Sequence, residues 1–322
     1  MSTLREGPLS RGGLGGIWVG LPTPFDAADR LDAEAFARSV AIAAGWGVSG
    51  VYTTGSTGEW FALDDAEFDV LMGALAEGRR EAARASHAIA LQAGVTATAT
   101  RLLLARAGMA LEHGVEALQL ALPQWMALSD DEAVGLFADI AAAFPGVPLV
   151  HYNVRRAGRL LDGAVYRRVA DAVPELVGVK ITGSDDALWA SFRASAPDLA
   201  FLVGETLLPR RVPDGARGTC SSYIYYAPAL MTRLWQAARD GRREEAEAVA
   251  ERFRAFEAEA IDPLASEGYE DAAIDKAFAA AAGHLPIDSR IRAPYRGVPA
   301  SRVAELSRLI RHRYADFLEV PS

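Results

Sequence analysis

Eight times between residues 17 and 240 the chain repeats one phrase: a short apolar run, a turn rich in Gly, Pro, Ser or Thr, and a longer segment with helical spacing. The runs fall at 17–21, 50–53, 87–93, 115–121, 147–152, 176–181, 199–203 and 218–223. Helical segments lie between them, at 32–44, 64–84, 98–112, 130–144, 163–173 and 186–196, opened by cap residues such as Asp32 and Ser129. Strands covered on both faces read as unbroken apolar runs, and parallel neighbours each need a crossover helix. Eight such units predict an α/β fold, a (β/α)8 TIM barrel with additional C-terminal helices, over an open doubly wound sheet. The expected division is a flexible tail over 1–16, the barrel with its active site over 17–240, and a helical region over 241–322. Val249, Phe253, Phe256 and Ala260 line one face of that last region, so it must pack on the barrel or on a neighbouring subunit. The glycines from Gly12 to Gly16 precede the first strand, which is the wrong place for a dinucleotide loop.

Chemistry in such barrels sits at the carboxyl ends of the strands. The sixth run, Leu176-Val177-Gly178-Val179-Lys180, ends in a lysine, and of the 33 Lys+Arg residues only Lys180 and Lys276 are lysines. A chain that places arginine almost everywhere else has an amine here, and an amine, unlike a guanidinium, can lose its proton and attack a carbonyl. The fifth run ends in Tyr152-Asn153, the second opens into Gly55-Ser56-Thr57-Gly58-Glu59, and the seventh leads to Glu205. Sequential strands lie about 4.8 Å apart. Tyr152 and Lys180 are therefore expected to share one proton network, with the hydroxyls and turn amides of the second loop facing them to hold a carboxylate. Lys180 must be neutral to attack, and burial among apolar neighbours is expected to lower its pKa. Tyr152, positioned by Ser56, is the expected proton carrier.

The formal net charge of -9 argues against a nucleic-acid partner, which would need a basic face. The one cysteine, Cys220, has no partner for an internal disulfide, and no apolar run is long enough to span a membrane. With no apolar signal segment at the amino terminus, a cytoplasmic protein is expected. The five histidines lack metal-ligand spacing, so no metal is expected, and His151 points away from the lumen by strand alternation.

Gly55-Ser56-Thr57-Gly58-Glu59, Tyr152-Asn153-Val154, Val177-Gly178-Val179-Lys180 and Arg292-Ala293-Pro294, together with Pro22-Thr23-Pro24-Phe25 after the first strand, resemble the motifs of the dihydrodipicolinate synthase / N-acetylneuraminate lyase family. The resemblance runs from about residue 17 to 300. It implies a homotetramer (a dimer of dimers) or homodimer that forms a Schiff base with pyruvate or a related 2-oxo acid, commonly with an aldehyde as second substrate. No metal or organic cofactor is implied. On the matching positions Lys180 is the imine lysine, Tyr152 the proton-transfer tyrosine, and Ser56 and Thr57 bind the carboxylate and complete the relay, between Gly55 and Gly58 of the same loop.

Departures from the pattern bear on the substrate. The synthase branch has a tyrosine pair after strand four, one of which enters the neighbouring subunit's site; here the loop reads Pro123-Gln124-Trp125-Met126, and an indole cannot relay a proton as a phenol does. An arginine for the second substrate's carboxylate corresponds to Arg156 once one residue is deleted. Glu205 and Cys220 also stand in unexpected surroundings, and all three are expected to line the substrate pocket. Trp125 at the entrance is similar to the hydratase-aldolase branch, which handles aromatic 2-oxo acids. The expected activity is therefore hydratase-aldolase-like cleavage or condensation. Condensation of pyruvate with aspartate semialdehyde is the alternative, and a barrel that binds a 2-oxo acid without turnover is a further one.

Overall fold

The computed structural model describes residues 9–321. Strands β1 (Gly16–Gly20), β2 (Gly50–Thr53), β3 (Ala90–Gly94), β4 (Ala117–Leu120), β5 (Leu149–Tyr152), β6 (Leu176–Ile181), β7 (Ala200–Val203) and β8 (Gly218–Ser221) form a closed barrel in sequence order, β8 pairing parallel with β1. Helices α1 (Ala33–Ala44), α2 (Asp65–Arg84), α3 (Thr100–Glu112), α4 (Asp130–Ala143), α5 (Gly163–Ala172), α6 (Asp186–Ser195), α7 (Leu208–Arg211) and α8 (Pro228–Arg239) alternate with the strands. Beyond them come α9 (Arg243–Phe256), α10 (Asp262–Ser266), α11 (Asp271–Ala282) and α12 (Ala300–Arg313). The expected barrel with C-terminal helices is the fold observed.

Local chemistry sets the helix starts. Asp64 and Ser129 each accept a bond from the backbone amide three residues on, and Glu67 and Glu132 reach back to complete reciprocal caps. Asp32, Asp162 and Asp185 cap α1, α5 and α6 in the simpler way. Each such cap contributes about 1 kcal/mol. Between strands and helices lies a continuous apolar layer that includes Phe36, Phe68, Phe137, Tyr166 and Phe192, all fully buried. Inside the barrel Trp18, Val150 and Leu202 fill the lower part.

The amino-terminal segment differs from the loose tail expected. Residues 1–8 lie outside the described residues; from Leu9 onward the chain packs under the barrel, with Leu9 and Leu14 buried in the same cluster as Trp18. Arg11 donates to the carbonyls of Leu176 and Ala170 at 2.9 and 3.0 Å. A barrel open at its lower end would leave apolar side chains wet, and two leucines among glycines are enough to close it. Gly178 makes the room, since a Cβ there would lie 2.3 Å from the Leu14 side chain.

The apolar stripe of α9 is buried as expected: Phe253 and Phe256 pack, tilted or edge-on, against Tyr223, Tyr226, Phe278 and Phe317. After α9 the helix widens into a π-type turn, Glu257–Ile261, before α10. Wide turns of this kind are frequent at functional sites, and here Ile261 and Ala265 are brought to the barrel mouth. Among the described residues no helix is long and apolar enough to cross a membrane.

Candidate active site

Lys180 and Tyr152 are direct register partners on β6 and β5. The Lys180 Nζ lies 4.2 Å from the centroid of the Tyr152 ring and 5.0 Å from that of Tyr52 on β2. Tyr52 is a member of the site that sequence reading missed. Its signal was present in Gly50-Val51-Tyr52, where alternation puts Gly50 and Tyr52 on one face of the strand. Gly55 is required by it, because a Cβ at Gly55 would lie 1.4 Å from the Tyr52 hydroxyl. The loop after β2 thus turns directly over a phenol.

Above the lysine opens a cavity of about 210 Å³, walled by Ser56, Thr57, Tyr152, Lys180, Thr182, Glu205 and Cys220 from the barrel and by Asp271, Ile274, Asp275 and Phe278 from α11. Lys180, Tyr152, Ser56, Thr57, Glu205 and Cys220 are therefore brought together as expected. Glu205 is not free, however: its Oε1 accepts from the backbone amides of Ser222 and Tyr223 at 2.8 and 3.3 Å, holding the loop after β8. Thr57 donates its hydroxyl proton to Asp275 Oδ2 at 2.5 Å, so its proton is committed to a group from α11.

Four expected substrate contacts lie outside this cavity, Gly55 among them, which lines a small cleft that shares Ser56 and Tyr152 with it. Gly58 does not wall the cavity; its carbonyl accepts from the Thr23 hydroxyl at 2.7 Å, and a Cβ there would meet the Thr54 amide at 2.5 Å, so it shapes the loop. Arg156 lines a small cleft beside Gly55, Gln124 and Tyr152 and is ion-paired with Asp271, which neutralises the charge meant for a substrate carboxylate. Trp125 is 84% exposed and lines a separate open cleft with Thr98, Met126 and Glu132, away from Lys180. Gln124 of the same loop lines the small cleft with Tyr52 and Tyr152, while Trp125 and Met126 line the outer one. His151 has the structural place expected of it: buried, its Nδ1 2.6 Å from the Tyr166 hydroxyl on α5, its pKa lowered by burial to about 3. Among the described residues no cluster of His, Cys, Asp and Glu is arranged to hold a metal.

The proton balance at Lys180 runs opposite to the sequence expectation. Burial drives its ammonium to shed a proton, but Tyr52, Tyr152, Cys220 and Glu205 pull the other way, and the net direction is upward. The rings of Tyr52 and Tyr152 present aromatic faces to Nζ and Glu205 presents a carboxylate, and both favour the ammonium, where apolar surroundings were expected. Burial holds the Tyr52 phenol above its ordinary range and pushes the Cys220 thiol up to about 11, so both keep their protons at neutral pH. Attack by Lys180 needs its neutral form, and below a raised pKa that fraction grows about tenfold per pH unit. Imine formation with pyruvate, measured by hydride trapping, is accordingly expected to quicken steadily from pH 7 to 9; a flat profile would contradict the raised pKa.

Comparisons with known proteins identify the family and the fold. The model of the dihydrodipicolinate synthetase family matches residues 13–312. An uncharacterized DapA-like lyase of Halobacterium salinarum is 30% identical over 238 residues, 73% of this chain and 76% of its own length. A 4-hydroxy-tetrahydrodipicolinate synthase of Xanthomonas axonopodis pv. citri is 31% identical over 242 residues, covering 73% and 76%. The structure of YagE, an E. coli K12 prophage protein of the dihydrodipicolinic acid synthase family solved in complex with pyruvate, superposes with a TM-score of 0.80 at 20% identity, over 92% of this chain and 98% of that one. With the family motifs seated at the ends of β2, β5 and β6 of a closed barrel, the chain belongs to the dihydrodipicolinate synthetase family and is a lyase of the class I aldolase type.

Proposed function

We propose that Lys180 forms an imine with the ketone of pyruvate or a related 2-oxo acid, and that the protein makes or breaks the carbon–carbon bond next to it. The carrying observation is the single amine at the end of β6, in register with a phenol and under a cavity rimmed by hydroxyls. The protonated imine is itself the electron sink, so the proposal calls for no metal or organic cofactor. Tyr152 is the group placed to move protons as the carbinolamine forms and loses water. Ser56 and the amides of its loop are placed to hold the 2-oxo acid's carboxylate.

The second fragment is the finer question. Trp125 no longer supports an aromatic partner, since it lies outside the cavity, and Arg156 is already paired with Asp271, which weighs against a carboxylate such as that of aspartate semialdehyde. What faces the space beyond Lys180 includes Thr57, Ser221, Ser222 and Asp275, beside the apolar Ile274 and Phe278, Asp271 being paired with Arg156. Hydrogen-bonding hydroxyls and carboxylates favour a hydroxylated fragment, and so aldol chemistry on a hydroxylated 2-oxo acid. Pyruvate release from sugar-derived 4-hydroxy-2-oxo acids, followed by coupled reduction, is expected to exceed condensation of pyruvate with aspartate semialdehyde. Comparable or faster condensation would defeat the assignment of the second fragment.

The homotetramer or homodimer implied by the resemblance belongs to the same proposal. Trp125 and Met126, 84% and 73% exposed, form an apolar pair that a neighbouring subunit would cover. Light scattering is expected to give an oligomer for the native chain and a smaller species for Trp125→Glu; a monomer in both cases would refute the assembly.

A further inference from the structure

Helix α11 is apolar where it meets the barrel, through Ala272, Ala273, Ile274, Ala277 and Phe278. Asp275 interrupts that face and reaches the Thr57 hydroxyl. A second tie between α11 and the loop after β2 is not needed for docking, because the next residue, Lys276, already pairs with Glu59 of that loop. A carboxylate set into an apolar face has a desolvation cost that a hydroxyl partner only partly offsets. Its position is informative: Asp275 walls the same cavity as Lys180 and Tyr152, and by taking the Thr57 proton it leaves the lone pairs of that oxygen free on the substrate side. Within the chain the loop after β4 does not wall this cavity: Gln124 lines the cleft beside Tyr152, and Trp125 and Met126 line a separate one.

The geometry points to Asp275 as the end of the site's proton relay, a positioning residue that takes up and returns, through Thr57, the proton exchanged at the carbon next to the imine. This rests on the Schiff-base reading above. In the step concerned the C3–H bond of the Lys180 imine breaks and its electron pair forms the C2–C3 double bond. The π pair of the C2=N bond of the protonated imine moves onto nitrogen, leaving a neutral enamine still bonded to Lys180. The released proton goes to the Thr57 oxygen while the Thr57 proton passes to the Asp275 carboxylate; the reverse step restores both.

Burial pushes the Asp275 carboxyl up to about 7, against the hydrogen bond from Thr57, and Asp271 on its own helix adds to the rise. The other groups facing it are Glu205 after β7, Tyr225 and Tyr223 after β8, and Lys180 across the cavity. Arg156 acts on it at one remove through Asp271, as Glu257 does through Tyr223.

The test needs pyruvate alone. Full-length protein with saturating pyruvate in D2O exchanges the methyl hydrogens for deuterium through the imine and enamine, and the loss of the methyl proton signal gives the rate. The native chain is expected to exchange faster as the solution passes upward through about pH 7, where the Asp275 carboxylate forms, and then to level off. Asp275→Asn is expected to slow exchange about 100-fold or more and to abolish the bend, Thr57→Val to do the same, and Asp275→Glu to keep a bend at an altered pH. Should Asp275→Asn fail to fold, the altered bend of Asp275→Glu carries the test. Native exchange rates in Asp275→Asn, or a slower rate with the bend unmoved, would overturn the inference. Borohydride trapping of pyruvate separates the two readings. An adduct on Lys180 with no effect of Asp275→Asn removes only the relay, whereas no adduct in the native chain removes the Schiff-base reading and the relay with it.

Discussion

Replacing Lys180 by alanine is expected to abolish borohydride-trapped pyruvate on the protein and to lower turnover on the order of 10⁴-fold or more, as loss of a covalent nucleophile does. Lys180→Arg is expected to fail equally. A guanidinium would keep the charge between the Tyr52 and Tyr152 rings, but it cannot shed a proton to become a nucleophile. The pair of variants therefore separates charge from nucleophilicity at one position. Peptide mapping locates the adduct: a reduced pyruvyl group on the peptide carrying Lys180 supports the mechanism, and an adduct on Lys276 or none at all refutes it. Lys276 is a fair internal control because it is the only other lysine and is fully buried against Glu59. The native fold is expected to survive both changes at Lys180. Alanine at the mouth end of the barrel opens onto existing cavity instead of creating a sealed void.

The parts of this site that sit at the ends of the strands were legible in the sequence. Lys180, Tyr152 and Ser56 sit at strand ends, and the strand order of a barrel follows from chain order, so their convergence could be read from the spacing of apolar runs. The register pairing of Tyr152 with Lys180 is the concrete result. Contacts that join distant parts of the chain were not legible. Thr57 and Asp275 are separated by 218 positions, and nothing local in the α11 sequence says that it lies across the barrel mouth. Trp125 shows the complementary failure: its place in the chain was right for the mouth, but which way a loop leans is decided by packing. The raised proton affinity of Lys180 escapes the sequence for the same reason, since it depends on the Tyr52 ring and Glu205, which converge on the amine from other parts of the barrel.

The two lysines divide the labour of the fold. Lys180 meets the substrate cavity, while Lys276 fixes the wall of that cavity by pairing with Glu59 and donating to the Arg290 carbonyl at 2.5 Å. Glu59 also accepts from the Arg292 backbone amide at 3.2 Å, and the Arg292 side chain spans to Glu67 at 2.6 Å, so the late Arg-Ala-Pro segment, α11 and the loop after β2 meet at one buried carboxylate. Glu59 adopts a left-handed backbone conformation, φ 51°, which the surrounding bonds must hold in place.

Removing one member of a wholly buried ion pair leaves the other charged and unpaired in a dry site. Lys276→Ala is accordingly expected to destabilise the fold by about 3–5 kcal/mol. Replacing both partners by uncharged residues of similar shape, Lys276→Met with Glu59→Gln, removes the stranded charge and is expected to recover most of that loss. Denaturant unfolding of the native chain, the single variant and the double variant measures the cycle. A single variant as stable as the native chain would mean that the pair does not hold α11 against the barrel. Loosened α11 would also withdraw Asp275 from Thr57, so in Lys276→Ala pyruvate exchange is expected to slow even under conditions where the protein stays folded, while trapping on Lys180 persists. That coupling follows from adjacency on one helical turn: the residue that anchors the helix and the residue that reaches the relay are neighbours, so loosening the first displaces the second.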